Sequence, residues 1–232
     1  MKIVTFIPAR GGSKGLKKKN LKLLAGKPLI AWPIQHALKS KYIDEVVVTT
    51  DDEEIASVAK KFGAKIPFLR PENIAGDLAT TEDTLKHALI EYEKLYEKVD
   101  LCVFLTCTDI FRKPEWIDQA IEIMIKNHNI ESVFSGNQTH KNFWQKNEFG
   151  KWERLKDWMS FYSSRQIRRY VVREDTGLCC VSRSFLWKEG RRIGNNVEIL
   201  ENKDLLTAVD IHTIEDLKIA EILLKMRFSG EI

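Results

Sequence analysis

The residues best suited to chemistry lie in the stretch IPARGGSKGLKKKN, residues 7–20. The apolar run before it, residues 3–7, is β-branched and aromatic, which is typical of a buried strand. Gly11 and Gly12 allow backbone amides to approach a ligand closely. Arg10 and the lysines that follow it bring positive charge to the same loop. Amides and cations together compensate the charge of a phosphate-rich ligand, so this composition indicates a phosphate-binding loop.

The same stretch has a second interpretation, as an ordinary solvated basic turn. Its GGSKG segment matches neither the Walker A pattern nor the dinucleotide-binding pattern G-x-G-x-x-G. The spacing therefore favours phosphate binding but leaves the solvated turn open, and the remaining motifs have to decide between the two.

The composition indicates one globular domain with a small anionic ligand. The 232 residues, 44% of them hydrophobic, suffice for one sizeable core, and we predict a single domain over residues 1–232. A net charge of +4 is too weak to indicate a nucleic-acid partner. The basic excess is local, in residues 10–22 and 165–173, which suits a small anionic substrate better than a polyanion.

Hydropathy and cysteine spacing indicate where in the cell the protein is located. The sequence has no apolar run of about 18 residues, the length that crosses a bilayer, so we expect no membrane partner. Its four cysteines form no C-x-x-C pair, which indicates neither zinc nor disulfides. We therefore expect a cytoplasmic protein.

The elements that position the basic loop are predicted from hydrophobic periodicity. Continuous apolar runs predict buried strands, whereas apolar side chains at i, i+3, i+4 and i+7 predict helices. The two patterns alternate along the chain, which implies βαβ units in a mostly parallel sheet, with ligands at the carboxyl ends of the strands. We predict an α/β fold on this basis. The ranges that carry the prediction are 46–48 and 100–105 for strands, and 55–62, 85–96, 117–124 and 214–224 for helices.

Residues 131–162 interrupt this alternation. Apolar and polar residues alternate there around a turn at 147–150, which predicts a β-hairpin extension. The aromatic side chains are too many for the surface of a free-standing hairpin, so we predict a homodimer that forms through this segment. Local packing against the core of the same chain is the alternative. The aromatic residues concerned are Trp144, Phe149, Trp152 and Trp158.

Four stretches in this order resemble one enzyme family: IPARGGSKGLKKKNL, TDDEEIASVAKKFGA, FLRPENIAGDLATTED and AVDIHTIEDLKIAE. They are similar to the CMP-sialic acid synthetases, or acylneuraminate cytidylyltransferases, and their relatives for legionaminic and pseudaminic acid. The resemblance implies a three-layer, Rossmann-like fold of the nucleotide-diphospho-sugar transferase type with a dimerising hairpin. It also implies a reaction, in which the anomeric hydroxyl of a nonulosonic acid attacks the α-phosphate of CTP with Mg²⁺ as cofactor and pyrophosphate leaves.

The resemblance assigns roles to individual residues. It implies that Arg10, Lys19 and Asp210 are catalytic, and that Thr106, Arg165, Gln166 and Arg173 bind the acidic sugar. The nucleotide would be bound by Ala9, Arg10, Gly11, Gly12, Ser13, Lys14, Asn20 and Arg70.

Some of these roles have structural alternatives. Arg70 is also interpretable as a surface arginine before a proline turn. Arg165 and Arg173 are equally interpretable as part of a solvated charge run. His140 and Lys141 are weaker candidates, since they would reach the sugar from the hairpin.

The sequence departs from the family at two places. The metal-binding D-x-D element is Asp210-x-His212 here, and Mg²⁺ prefers oxygen to imidazole ligands. The stretch LTCTDIFR, residues 105–112, lacks the glutamine and the Ser/Thr-Pro pair of the family and has Thr106 and Asp109 instead. We hypothesise that Asp109 and Asp210 hold Mg²⁺ together; the alternative is that Asp109 only caps a turn.

His212 and the two departures leave further possibilities open. His212 is interpretable as a hydrogen-bond partner of Asp210, as a base for the sugar hydroxyl, or as a non-catalytic histidine. The preferred function is cytidylyl transfer to a nonulosonic acid. The alternatives are a nucleotidyltransferase with a different sugar acceptor and a catalytically silent nucleotide-binding homologue.

Overall fold

The computed structural model describes residues 1–76, 78–164 and 166–231. In chain order the strands are β1 (Ile3–Pro8), β2 (Leu23–Leu24), β3 (Lys27–Pro28), β4 (Glu45–Thr49), β5 (Leu101–Phe104), β6 (Ser132–Thr139), β7 (Trp144–Lys146), β8 (Trp152–Arg154), β9 (Val171–Glu174), β10 (Cys180–Arg183) and β11 (Val197–Asn202). The helices are α1 (Ala31–Ala37), α2 (Glu53–Lys61), α3 (Thr81–Leu95), α4 (Glu115–Lys126), α5 (Ser184–Lys188) and α6 (Ile214–Ser229).

Within the described residues, seven of the strands form the main sheet. Six lie in the order β11-β6-β10-β5-β1-β4, and β9 pairs with the second half of β6. The pairs of β1 with β4 and β5, and of β6 with β11, are parallel. This confirms the predicted mostly parallel sheet.

The sequence indicated a strand at Cys179 and Cys180 but did not predict that β10 runs antiparallel between β5 and β6. Both β9 and β10 run antiparallel to β6, one beside each half of that strand. A short loop, residues 175–179, joins them without a helix. This loop lies beside the carboxyl end of β5, where Gly177 accepts a hydrogen bond from the backbone N–H of Thr106 (3.0 Å).

Side-chain alternation along the strands builds a core on each face of the sheet. In β1, Ile3 and Ile7 belong to one buried cluster, whereas Val4 and Phe6 belong to the other. The first cluster includes apolar residues of α1, α2, α4 and α6, and the second includes those of α3 and α5. The three-layer arrangement follows, with the sheet in the middle.

Helix starts are fixed by polar side chains at the same edge of the sheet. Asp52 accepts hydrogen bonds from the backbone N–H groups of Glu54 and Ile55 and so begins α2. Capping boxes begin α3 at Thr80 and α6 at Thr213. None of the helices within the described residues is long and apolar enough to cross a membrane.

The predicted extension, residues 131–162, divides into two parts. Its first part is β6, a buried strand inside the main sheet, so that part of the prediction is wrong. The hairpin itself is β7 and β8, joined by the turn at 147–150. Its aromatic side chains are exposed, with Trp144 at 48% and Trp152 at 66%.

Candidate functional site

A cleft of about 300 Å³ lies beyond the carboxyl ends of β1 and β5. The basic loop forms one wall, and residues from the ends of β5 and the start of α6 complete it. This is the position at which parallel α/β sheets bind ligands. The residues around the cleft are Pro8, Arg10, Ser13, Lys14, Gly15, Leu16, Lys19, Asn20, Thr106, Cys107, Thr108 and His212.

The basic loop is held in place by its own backbone and by the ends of neighbouring strands. The backbone N–H of Gly11 donates to the Asp51 carboxylate (3.0 Å), and the Asn20 side-chain amide donates to the Arg10 carbonyl (3.0 Å). A Cβ on Gly11 would lie 2.6 Å from the Asp52 carboxylate. Glycine is therefore required at position 11 for close approach, and the loop is a built turn rather than a free basic segment.

Lys19 combines partial burial with a carboxylate neighbour. Burial lowers the pKa of its ammonium group, and the negative charge of Asp210 opposes that shift. The basic loop and the segment that precedes α6 are therefore close enough for their charges to interact. A half-buried ammonium interacts with a polyanion more strongly than a fully solvated one.

Arg70 is buried rather than at the surface, so its surface-arginine interpretation is wrong. Its guanidinium donates to the Thr49 carbonyl (2.5 Å) and hydroxyl (3.3 Å). The same Thr49 carbonyl accepts from the backbone N–H of Ala9 (3.0 Å). Arg70 therefore supports the start of the basic loop from the neighbouring strand end, and burial lowers its pKa.

Asp109 and Asp210 lie close enough to influence each other. Burial raises the pKa of Asp109, the hydrogen bond from the Thr106 hydroxyl opposes this, and the Asp210 charge raises it further. Nε2 of His212 lies 2.7 Å from the Asp210 carboxylate. Within the described ranges, no three side chains of His, Cys, Asp or Glu cluster as a metal site.

The two carboxylates nevertheless fit a magnesium ion. They supply hard oxygen ligands, and the ion completes its shell with water or phosphate oxygens in nucleotide sites. Burial is the main cause of the raised pKa of Asp109, and a divalent cation would offset the further contribution of the Asp210 charge. His212 is placed as a hydrogen-bond partner of Asp210.

Arg112 is a residue of the site that sequence reasoning missed. It is buried, and its guanidinium donates to the carbonyls of Thr106 (3.1 Å), Gly177 (2.5 Å) and Leu178. Burial lowers its pKa to about 10, and the Asp109 carboxylate opposes this shift. The only sequence signal was a cation six residues after Thr106, in a stretch that follows a buried strand.

The structure does not bring the predicted sugar-binding residues Gln166 and Arg173 to the cleft lining. Arg173 makes a bidentate ion pair with Asp175 (2.6 and 2.9 Å), which raises the pKa of the arginine. Gln166 is exposed, and its backbone N–H donates to the Ser164 hydroxyl (3.4 Å), away from the residues that line the cleft. Arg165 lies outside the described residues.

The candidates on the hairpin side border a different cavity. His140 and Lys141 line a space of about 380 Å³ together with Asn137 and Arg168. The His140 ring packs edge-on against Tyr170, 6.0 Å between centroids. Neither residue reaches the cleft within this one chain.

A family model described as cytidylyltransferase matches residues 4–218. Pseudaminic acid cytidylyltransferase of Campylobacter jejuni is 34% identical in an alignment that covers 97% of this chain and 97% of that protein. CMP-N,N'-diacetyllegionaminic acid synthase of Legionella pneumophila is 46% identical over 123 residues, about half of either chain (53% of each).

A solved structure supports the fold. A CMP:2-keto-3-deoxy-manno-octonic acid synthetase complexed with CTP superposes with a TM-score of 0.73 at 18% identity. The match covers 98% of this chain and 100% of that one. At this identity the likeness concerns the fold, and it agrees with the three-layer architecture described above.

Proposed function

This chain belongs to the cytidylyltransferase family, and from that premise we propose that it transfers CMP from CTP to the anomeric hydroxyl of a nonulosonic acid. The family membership makes it a nucleotidyltransferase. The nonulosonic acceptor is supported by the two relatives named for legionaminic and pseudaminic acid. The observation that carries the proposal is the cleft, which the glycine loop and Lys19 line and where the Asp210 charge acts on the Lys19 ammonium group.

The basic loop would bind the triphosphate. The loop residues Ser13, Lys14 and Gly15 line the cleft together with Arg10 and Lys19. Nucleotidyl transfer needs positioning and charge compensation rather than covalent catalysis by the protein. Lys19 would stabilise the pyrophosphate that leaves, and its partial burial increases that effect.

Asp109 and Asp210 would hold Mg²⁺. Bound there, the ion would neutralise charge on the phosphate oxygens and make the α-phosphorus more electrophilic. Asp210 would be oriented by His212 through the 2.7 Å contact. Thr106 would orient Asp109 through its hydroxyl.

The acceptor would enter from the side of Thr106 and Arg173. Its anomeric oxygen forms a bond to the α-phosphorus of CTP as the bond from that phosphorus to the bridging oxygen breaks, and the hydroxyl proton is released. Asp175 occupies two donor positions of Arg173. A sugar carboxylate would therefore meet the remaining donors of this guanidinium or displace Asp175.

The test is pyrophosphate release from CTP and Mg²⁺ with a panel of legionaminic, pseudaminic and sialic acids. We expect release with at least one acid and none without an acceptor. Asp109→Ala and Asp210→Ala should both abolish turnover; an active Asp109→Ala enzyme would contradict the shared metal site. Binding of CTP without turnover on the whole panel would favour a silent homologue, and turnover only with another sugar would favour a different acceptor.

We further propose that the protein is a cytoplasmic homodimer that associates through the hairpin. The support is its exposed aromatic surface, which includes Trp144, Phe149 and Trp152. Sedimentation analysis should give twice the chain mass, and Trp152→Glu should shift the species towards the monomer. A wild-type monomer at high micromolar concentration would contradict the dimer.

A further inference from the structure

Arg112 is a buried cation with no carboxylate among its hydrogen-bond partners in the described part of the chain, so its charge is not neutralised as it would be in an ion pair. Only 3% of the residue is exposed. Each of its hydrogen bonds goes to a neutral backbone carbonyl, and within the described residues its Nη1 atom has no partner. Burying a cation this way carries a desolvation penalty, which carbonyl dipoles offset only partly.

The carbonyls that Arg112 joins come from two separate segments. Thr106 follows β5, whereas Gly177 and Leu178 precede β10. The guanidinium bridges Thr106 and Gly177 through a single nitrogen, Nη2, and reaches Leu178 through Nε. The guanidinium group is planar and its N–H donors have fixed directions, so it fixes the position of the two segments relative to each other. An ammonium group lacks such fixed donor directions.

Both segments touch Asp109. The Thr106 hydroxyl donates to its carboxylate. On the other side, the α-carbon of Gly177 is so close that a Cβ there would lie 2.1 Å from Oδ2 of Asp109. The Arg112 side chain therefore links the two segments that surround the Asp109 carboxylate.

We infer that Arg112 is a positioning residue, which fixes the Asp109 carboxylate where it meets the divalent cation of the site. The inference rests on the proposed role of Asp109 in metal binding. Arg112 itself does not touch substrate in this arrangement, since its donors face backbone carbonyls.

Arg183 provides a matched control. It also donates to three backbone carbonyls, of Ile130 (3.0 Å), Met124 (3.0 Å) and Asn127 (3.2 Å). It lies at the opposite end of β10 from the cleft. Arg183→Lys removes a comparable arginine fork without changing the surroundings of Asp109.

The experiment measures Mn²⁺ binding in the presence of CTP, from the free-ion signal in electron paramagnetic resonance. The proteins are wild type, Arg112→Lys, Asp109→Asn, the double variant and Arg183→Lys, each checked for folding by circular dichroism. If Arg112→Lys does not fold, Arg112→Gln, which keeps an amide donor, takes its place. Pyrophosphate release is measured separately, so a failure of the proposed reaction is distinguishable from a failure of this inference.

We expect Arg112→Lys to weaken Mn²⁺ binding about tenfold, as changes to groups that orient metal ligands do. In the Asp109→Asn background the same change should have no further effect, and Arg183→Lys should stay within about twofold of wild type. Wild-type Mn²⁺ affinity in Arg112→Lys would overturn the inference. So would equal weakening in the presence and absence of the Asp109 carboxylate, which would indicate a general structural role.

Discussion

Replacing Gly177 by alanine perturbs the Asp109 carboxylate without removing any functional group. The new Cβ would lie 2.1 Å from Oδ2 of Asp109 and 2.8 Å from the Thr106 hydroxyl, whereas real Cβ contacts essentially never fall below 3.0 Å. The carboxylate must therefore retreat by about 0.9 Å. A misplacement of about 1 Å in a positioned site costs on the order of 100-fold in rate.

We expect Gly177→Ala to lower kcat/KM for CTP about 100-fold and to raise the Mg²⁺ concentration at half-saturation. Overpacking should also lower the free energy of unfolding by about 1–3 kcal/mol. The assay is pyrophosphate release over a magnesium titration at a temperature at which the variant is folded.

Gly194→Ala is the matched control for this clash. Its Cβ would lie 2.4 Å from the Glu131 carboxylate, in the loop before β11 and away from the cleft. It should lose stability comparably but keep the wild-type magnesium requirement. The reasoning would be refuted if the two variants had the same magnesium dependence, since the displaced Asp109 would then be irrelevant to the cation.

Three further predictions concern side chains of the cleft and the core. Lys19→Ala should lower kcat/KM by roughly 2–4 kcal/mol of transition-state stabilisation; near-normal kinetics would contradict the loop assignment. Because burial lowers the pKa of Lys19, its charge is lost as pH rises through a value below 10.5, so kcat/KM should fall on the alkaline side and Lys19→Arg should extend activity to higher pH. Burial lowers the pKa of His36 from 6.5 to about 3. The neutral form therefore stabilises the fold above pH 6.5, and this stabilisation is lost as pH falls towards 3. Between pH 7 and 4.5 the free energy of unfolding should fall by about 2–3 kcal/mol from this residue, which denaturant titrations should detect in wild type and not in His36→Phe.

The basic loop was predictable because its signal is local. The apolar run of β1 and the glycines and cations that follow it are consecutive in sequence, and the strand places them at the sheet edge. The helix starts were predictable less evenly: the range 214–224 begins at the same residue as α6, whereas the range 85–96 begins four residues after the start of α3 at Thr81. At the start of α2, Asp52 caps the helix, whereas the adjacent Asp51 accepts a hydrogen bond from the Gly11 amide. Two adjacent aspartates carry no local signal that separates these roles.

The strand β6 was misassigned because both of its faces are buried and each carries a serine. Ser132 and Ser135 are fully buried, and their hydroxyls are satisfied by the Gly194 amide (3.0 Å) and the Asp175 carbonyl (2.7 Å). Hydropathy treats such residues as exposed, and the partners that make their burial favourable lie 40 to 62 residues away in the chain.

Arg112 was missed for the same physical reason. Its burial depends on the carbonyls of Gly177 and Leu178, which are 65 and 66 residues distant in sequence. The juxtaposition of Asp109 with Asp210 was inferred only from the rule that parallel strand ends meet at one edge. In the structure Asp210 follows a 3₁₀-helix, Leu205–Ala208, rather than a strand, and its charge nevertheless acts on Asp109.

The most direct test of the central claim is a crystal structure with a non-hydrolysable CTP analogue and Mg²⁺. The account predicts the triphosphate in the cleft between residues 10–19 and Asp210, in contact with the amides of the glycine loop and with Lys19. A nucleotide bound elsewhere, with that cleft empty, would contradict it.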